Sequence, residues 1–178
     1  MEQKARARTR FSARTVAEVG LMVGLATVLS LIKVFQAPQG GSITAASLVP
    51  ILYLAVKRGP AVGVVAGGLH GVIQFLLDQY AVHPVQVILD YPLAFGLLGL
   101  AGFFPRLPLL GVLVGISGRF VSHLLSGVVF FASYAPEGQN PWLYSAVYNG
   151  TYLAGELALS LVIVLILVRT VRSERLGL

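Results

Sequence analysis

Cysteine is absent from the 178 residues, which excludes disulfides and thiolate chemistry. Charge is scarce: 11% of residues are charged, less than half the ~25% of a typical soluble domain. The three histidines are scattered, without an HxxxH spacing, and form no metal-ligand cluster. No Walker-type phosphate loop occurs, so the chain has no ATP motor of its own. No cofactor is expected. What takes the place of charge is apolar. Hydrophobic residues make up 56% of the chain and the mean hydropathy is +0.82. They fall in runs long enough to span a bilayer. The chain therefore reads as one integral-membrane domain over residues 1–178. A net charge of +6 and a pI near 10.0 would also suit nucleic acid. The basic residues, however, sit at the ends and in two short loops, a pattern of membrane orientation rather than nucleic-acid binding. The basic N-terminus leads into a full-length span without a convincing cleavage site, so no cleavable signal peptide is expected.

Turn-forming stretches divide the chain into six spans. They are Ala13 to Phe35, Ile43 to Val56, Ala61 to Leu77, Pro84 to Phe104, Leu109 to Tyr134 and Trp142 to Val168. The second is short for a crossing and reads as starting inside the loop before it. The expected fold is an all-α membrane protein, a compact bundle of six transmembrane helices. Six crossings put both termini on one side. Lys4, Arg6, Arg8, Arg10, Arg14, Lys57, Arg58, Arg106, Arg169, Arg172 and Arg175 then share that side, which the positive-inside rule makes cytoplasmic. Residues 1–13 form a basic N-terminal segment and 169–178 a basic tail. The outer side holds "QAPQGGS", "DQYAVH" and "APEGQNP", read either as ordinary loops or as the mouth or lid of a binding site.

Polar residues inside the spans carry the functional signal, because membrane helices rarely present them to lipid. Gln86 and Asp90 share a face of the fourth span. Arg119, His123, Ser126 and Phe130 stripe the fifth. Ser145, Asn149, Tyr152 and Glu156 stripe the sixth. The competing reading is a network that glues helices together, strongest for Arg119 and Glu156, which lie deeper and are placed to pair. Asp90, His123 and Asn149 lie nearer the aromatic-rich loops and read as a site. Tyr80, Tyr91, Tyr144, Tyr148, Phe131 and Trp142 lie near the same level. Some of these, Trp142 and Tyr148 first, read as interfacial belt residues. A carboxylate among aromatic faces suits a flat cation. Small residues form two further stripes: Ala17, Gly20, Gly24 and Thr27 on the first span, and Gly63, Gly67 and Gly71 on the third. Such stripes serve internal packing or the docking of a partner.

A catalytic reading is weaker. "GISG" at Gly115 to Gly118 resembles the serine motif of rhomboid intramembrane proteases. His123, the one histidine after Ser117, lies about 240° further round the same helix and diverges from it. An enzyme is not expected.

The segments "PQGGSITAASLVPIL", "RGPAVGVVAGGLHGVIQFLL", "HPVQVILDYPLAFGLLGLAGFF" and "YNGTYLAGE", in that order and spacing, resemble the thiamin-specific S component of energy-coupling factor (ECF) vitamin transporters. The resemblance runs from about Ala17 to the end of the sixth span. It implies a membrane subunit that captures thiamin on the outer face of a prokaryotic cytoplasmic membrane. Its partners would be a transmembrane coupling subunit and two cytoplasmic ATPases. The pocket residues it implies are Asp90, Tyr91, Tyr80, His123, Phe131, Tyr144 and Asn149. The lid would be the first loop, with Gln39, Gly40 and Gly41, and the coupling subunit would dock at Gly20 and Gly24. The sequence departs from familiar members, which carry glutamate at Asp90 and tryptophans at Phe131 and near Gly41. An S component for another pyrimidine or vitamin, and a transporter working alone, stay open as alternatives.

Overall fold

The computed structural model describes residues 11–176, with side-chain surroundings for 11–167, 169 and 170. The first ten residues of the basic N-terminal segment, and most side chains of the basic tail, lie outside that description. Helix α1 spans Ala13–Ser30 and starts at Ser12, whose hydroxyl accepts the Thr15 N–H. A hairpin follows, β1 Lys33–Gln36 and β2 Ser42–Thr44, paired antiparallel with Phe35 opposite Ile43. Then come α2 Val49–Arg58, α3 Pro60–Leu77, α4 Pro84–Phe103, α5 Pro108–Phe130 and α6 Pro141–Leu176. Among the described residues, five helices are long and apolar enough to cross a membrane: α1, α3, α4, α5 and the part of α6 from Pro141 to Leu167.

Three expectations are corrected. The fold is not purely helical, because the first span stops at Ser30 and its expected end, up to Phe35, is strand β1. The second span is shorter than expected. Residues 42–48 are spent on β2 and a turn, leaving α2 ten residues, about 15 Å of helix. Its Ile51, Leu52, Leu54 and Ala55 are buried, at 1% exposure or less, so α2 is sheathed by its neighbours. The fifth span also ends earlier than expected, at Phe130, and a short 3-10 turn, Ala132–Tyr134, follows.

The glycine stripe of α3 is internal. A Cβ on Gly67 would meet the Phe95 carbonyl, and one on Gly71 the Tyr91 carbonyl and Pro92. This face seats α4, which is irregular: α-helical over Pro84–Ile88, a π turn over Leu89–Leu93, and 3-10 over Leu97–Phe103. Pro92 lies in the π turn and lacks the N–H that a regular turn would use. Ser122 of α5 donates to the Leu89 carbonyl at 2.6 Å. The stripe on α1 is different. Gly20 and Gly24 are exposed, and a Cβ on either would meet nothing within 4 Å.

The two ends of the bundle differ in charge. At one end Glu18 accepts both Nε and Nη2 of Arg58, at 2.7 and 2.5 Å, with Arg14 and Lys57 alongside. The Glu18 carboxylate beside it raises the pKa of the Arg58 guanidinium above its usual value. The hairpin and the loops after α3 and α5 lie at the other end, around a cavity.

Candidate functional site

That cavity has a volume of about 260 Å³, near the lower end for small-molecule sites. Asp90, Tyr91, Tyr80, His123, Phe131, Tyr144 and Asn149 all line it, together with Gln39, Gly40 and Gly41. Its lining comes from α1, the hairpin and every helix from α3 to α6.

Asp90 projects from the π turn of α4. An extra residue in one turn rotates the side chains on either side of it, which is how such turns come to aim functional groups. Gln86, one turn earlier, donates Nε2 to Asp90 Oδ2 at 2.7 Å, and Ser126 Oγ donates to the same oxygen at 2.8 Å. His123 Nδ1 lies 3.0 Å from Asp90 Oδ1. Arg119, one turn before His123 on α5, donates Nε–H to His123 Nε2 at 3.2 Å. Guanidinium has no acceptor, so Nε2 must accept and the ring proton sits on Nδ1, directed at Asp90. Arg119, His123 and Asp90 thus form one directed chain. Below it, the Arg119 guanidinium carbon sits 4.1 Å over the Phe95 ring.

Arg119 and Glu156, adjacent in depth by helical register, do not pair. Arg119 is taken by His123 and Phe95, while Glu156 Oε1 accepts from the backbone N–H and hydroxyl of Thr44, each at 2.7 Å. Asn149 is held at both ends. Its Nδ2 donates to the Ser145 carbonyl at 2.9 Å and its Oδ1 accepts the Tyr152 hydroxyl at 2.8 Å.

Two aromatic walls flank these polar groups. Tyr80 and Phe131 lie 5.8 Å apart between ring centres, with Tyr134 behind Phe131. Tyr144 stacks on Tyr148 at 6.2 Å, and Tyr152 meets Tyr148 edge-on. Tyr91 fixes the first wall, accepting the Tyr80 N–H and donating to the Asp78 carbonyl. The Tyr134 hydroxyl bonded to it, and then burial, push the Tyr80 phenol up from its usual pKa, so it stays neutral. At the mouth Lys33 of β1 is ion-paired with Asp78.

Tyr148, read from sequence as a belt residue, instead lines the cavity, and its hydroxyl accepts the N–H groups of Gln39 and Gly41 at 3.2 Å each. Trp142 is 53% exposed and is not part of the lining. Gln86 and Tyr152 also line the cavity. Their signal was their place in the polar stripes of α4 and α6. The Lys33–Asp78 pair had no local signal, since its members are 45 residues apart. Ser117 lies on an exposed face of α5, away from the cavity.

The sequence profile of the family described as "Thiamine transporter protein (Thia_YuaJ)" matches residues 16–175. The chain belongs to this family. It is 30% identical over 172 residues to the thiamine transporter ThiT of Bacillus subtilis, covering 86% of this chain and 89% of that protein. It is 32% identical over 137 residues to ThiT of Lacticaseibacillus paracasei, covering 66% and 68%. The solved structure of ThiT from Listeria monocytogenes superimposes with a TM-score of 0.79 at 28% identity, covering 88% of this chain and 93% of that one. The family and the five apolar helices make this a multi-pass protein of the bacterial cell membrane, and the relatives it resembles are named as transporters rather than enzymes.

Proposed function

We propose that the protein binds thiamin in the cavity beneath the hairpin and serves as the substrate-capturing subunit of an ECF-type importer. The observation that carries the reading is the cavity itself. Asp90 is held in a preset orientation between walls of tyrosine and phenylalanine, in a chain of the thiamine transporter family. Thiamin joins a permanently charged thiazolium to an aminopyrimidine, both flat. The aromatic walls stack the rings and attract the cation. Asp90 meets the positive charge or the aminopyrimidine, and Asn149 and Tyr144 meet the pyrimidine edge. Residues Gln39 to Gly41 act as the lid over the bound ligand.

In this reading the cavity opens outside the cell and the Glu18–Arg58 end faces the cytoplasm, as the positive-inside rule requires. Chain motion is powered elsewhere, by two cytoplasmic ATPases acting through a membrane coupling subunit. Gly20 and Gly24 supply a bare helix surface for that subunit, because a close helix contact needs small residues. Titration calorimetry on the purified protein tests the ligand. Strong heat with thiamin is expected, and silence with thiamin beside clear heat with another vitamin would overturn the assignment. Uptake only in cells that carry ECF motor subunits is expected, and uptake without them would make the protein a transporter in its own right.

A further inference from the structure

The hairpin over the cavity is seated on one face of α6. Tyr148, Tyr152 and Glu156 recur at every fourth residue and so share that face. Each touches a different part of the segment from Gln39 to Thr44. Tyr148 accepts the Gln39 and Gly41 N–H groups, and the Tyr152 ring occupies the place where a Cβ on Gly41 would lie. Glu156 accepts both Thr44 donors, and the Thr44 hydroxyl, having spent its proton there, accepts from Ser47 at 2.7 Å. Glu156 is 1% exposed and is not part of the cavity lining. Its Oε2 has no hydrogen-bond partner among the described residues, so its described hydrogen bonds all go to Thr44.

The two contacts differ in strength. The bonds at the tip are neutral and 3.2 Å long. Those at the base are 2.7 Å, buried and directed at a carboxylate, the stronger kind. Two residues beyond Thr44, Ala46 holds a φ of +65°. A non-glycine residue stays in that conformation only where its surroundings over-determine it. The grip on Thr44 before it and the buried start of α2 after it supply that constraint.

We propose that Glu156 is a positioning residue for the lid, fixing the base of the hairpin on α6 so that Gln39 to Gly41 lie over the cavity. The tip at Tyr148 then releases while the base holds, and the hairpin pivots about Thr44. The consequence for ligand retention rests on the proposed function; the placement of the hairpin does not. The chain has no cysteine, so V34C and V82C, at side chains 72% and 53% exposed, accept spin labels cleanly. In the ligand-free full chain, the distance between the labels is expected to be narrowly distributed. Glu156→Ala should broaden and shift it, Glu156→Gln should stay near the parent because an acceptor oxygen remains, and Thr44→Val should fall between them. Thiamin should leave the Glu156→Ala protein at least about tenfold faster, because both Thr44 bonds to the carboxylate are lost and one such bond alone is on that scale. Unchanged distances in both Glu156→Ala and Thr44→Val would overturn the proposal. If Glu156→Ala does not fold, Thr44→Val decides, since it leaves α6 intact. If the parent protein ignores thiamin, the ligand assignment falls, while the ligand-free distances still decide the seat.

Discussion

An ionised aspartate offers about four acceptor positions, and at Asp90 three are taken by Gln86, His123 and Ser126. The carboxylate is therefore oriented before any ligand arrives, with one position left to offer. Asp90→Asn puts an amide N–H₂ against one of these donors and removes the negative charge facing the His123–Arg119 chain. Its thiamin affinity is expected to fall by about 2–5 kcal/mol, the usual cost of truncating one partner of a buried charged pair, as read by calorimetry. Trp142, the one tryptophan, stands outside the cavity. Thiamin should therefore leave its emission nearly unchanged, whereas a Phe131→Trp variant should be quenched on titration. Strong quenching in the parent protein would place the ligand near α6's exposed start instead.

At the scale of elements, the bare face of α3 decides where Asp90 points. The π turn of α4 sits against Gly71, with the Tyr91 carbonyl and Pro92 in the space a Cβ would need. Gly71→Ala is expected to cost about 1–3 kcal/mol of stability through overpacking, and to weaken thiamin binding because the displaced turn carries Asp90. Gly68, next to the stripe, has only ordinary contact distance to the Pro92 carbonyl, at 3.7 Å. Gly68→Ala should then be neutral or stabilising by about 0.5–1 kcal/mol, since alanine loses less backbone freedom in a helix. Thermal unfolding of both variants in one detergent tests the contrast, and equal effects would remove the packing argument.

For the whole molecule, the two ends have separate tasks in the proposed function, and α1 connects them. Its inner side, through Val19, Val23 and Ala26, belongs to the core. Its outer side bears Gly20 and Gly24 with nothing near them. Replacing both glycines with leucine should not lower the unfolding temperature and should leave thiamin affinity unchanged, while abolishing uptake in cells with the motor subunits. Loss of binding in the purified variant would assign the stripe to the fold instead of to a partner.

Sequence by itself determined the membrane class, the approximate breaks between helices and the polar stripes of α4, α5 and α6 that supply part of the lining of one cavity. These are local properties: apolar run length, glycine and proline breakers, and polar side chains at helical spacing within apolar segments. Tertiary structure alone decided the rest. Lys33 to Gln36 became a strand because Ser42 to Thr44 came back to pair with it and Glu156, 112 residues away, caught Thr44. Tyr148 and Trp142, two aromatics at the start of one helix, parted ways because helix phase turns one toward the hairpin and the other outward. Arg119 chose His123 and Phe95 over Glu156 for a similar reason. Depth along a helix can be read from a chain, but which neighbour fills the space beside a side chain depends on packing between distant segments.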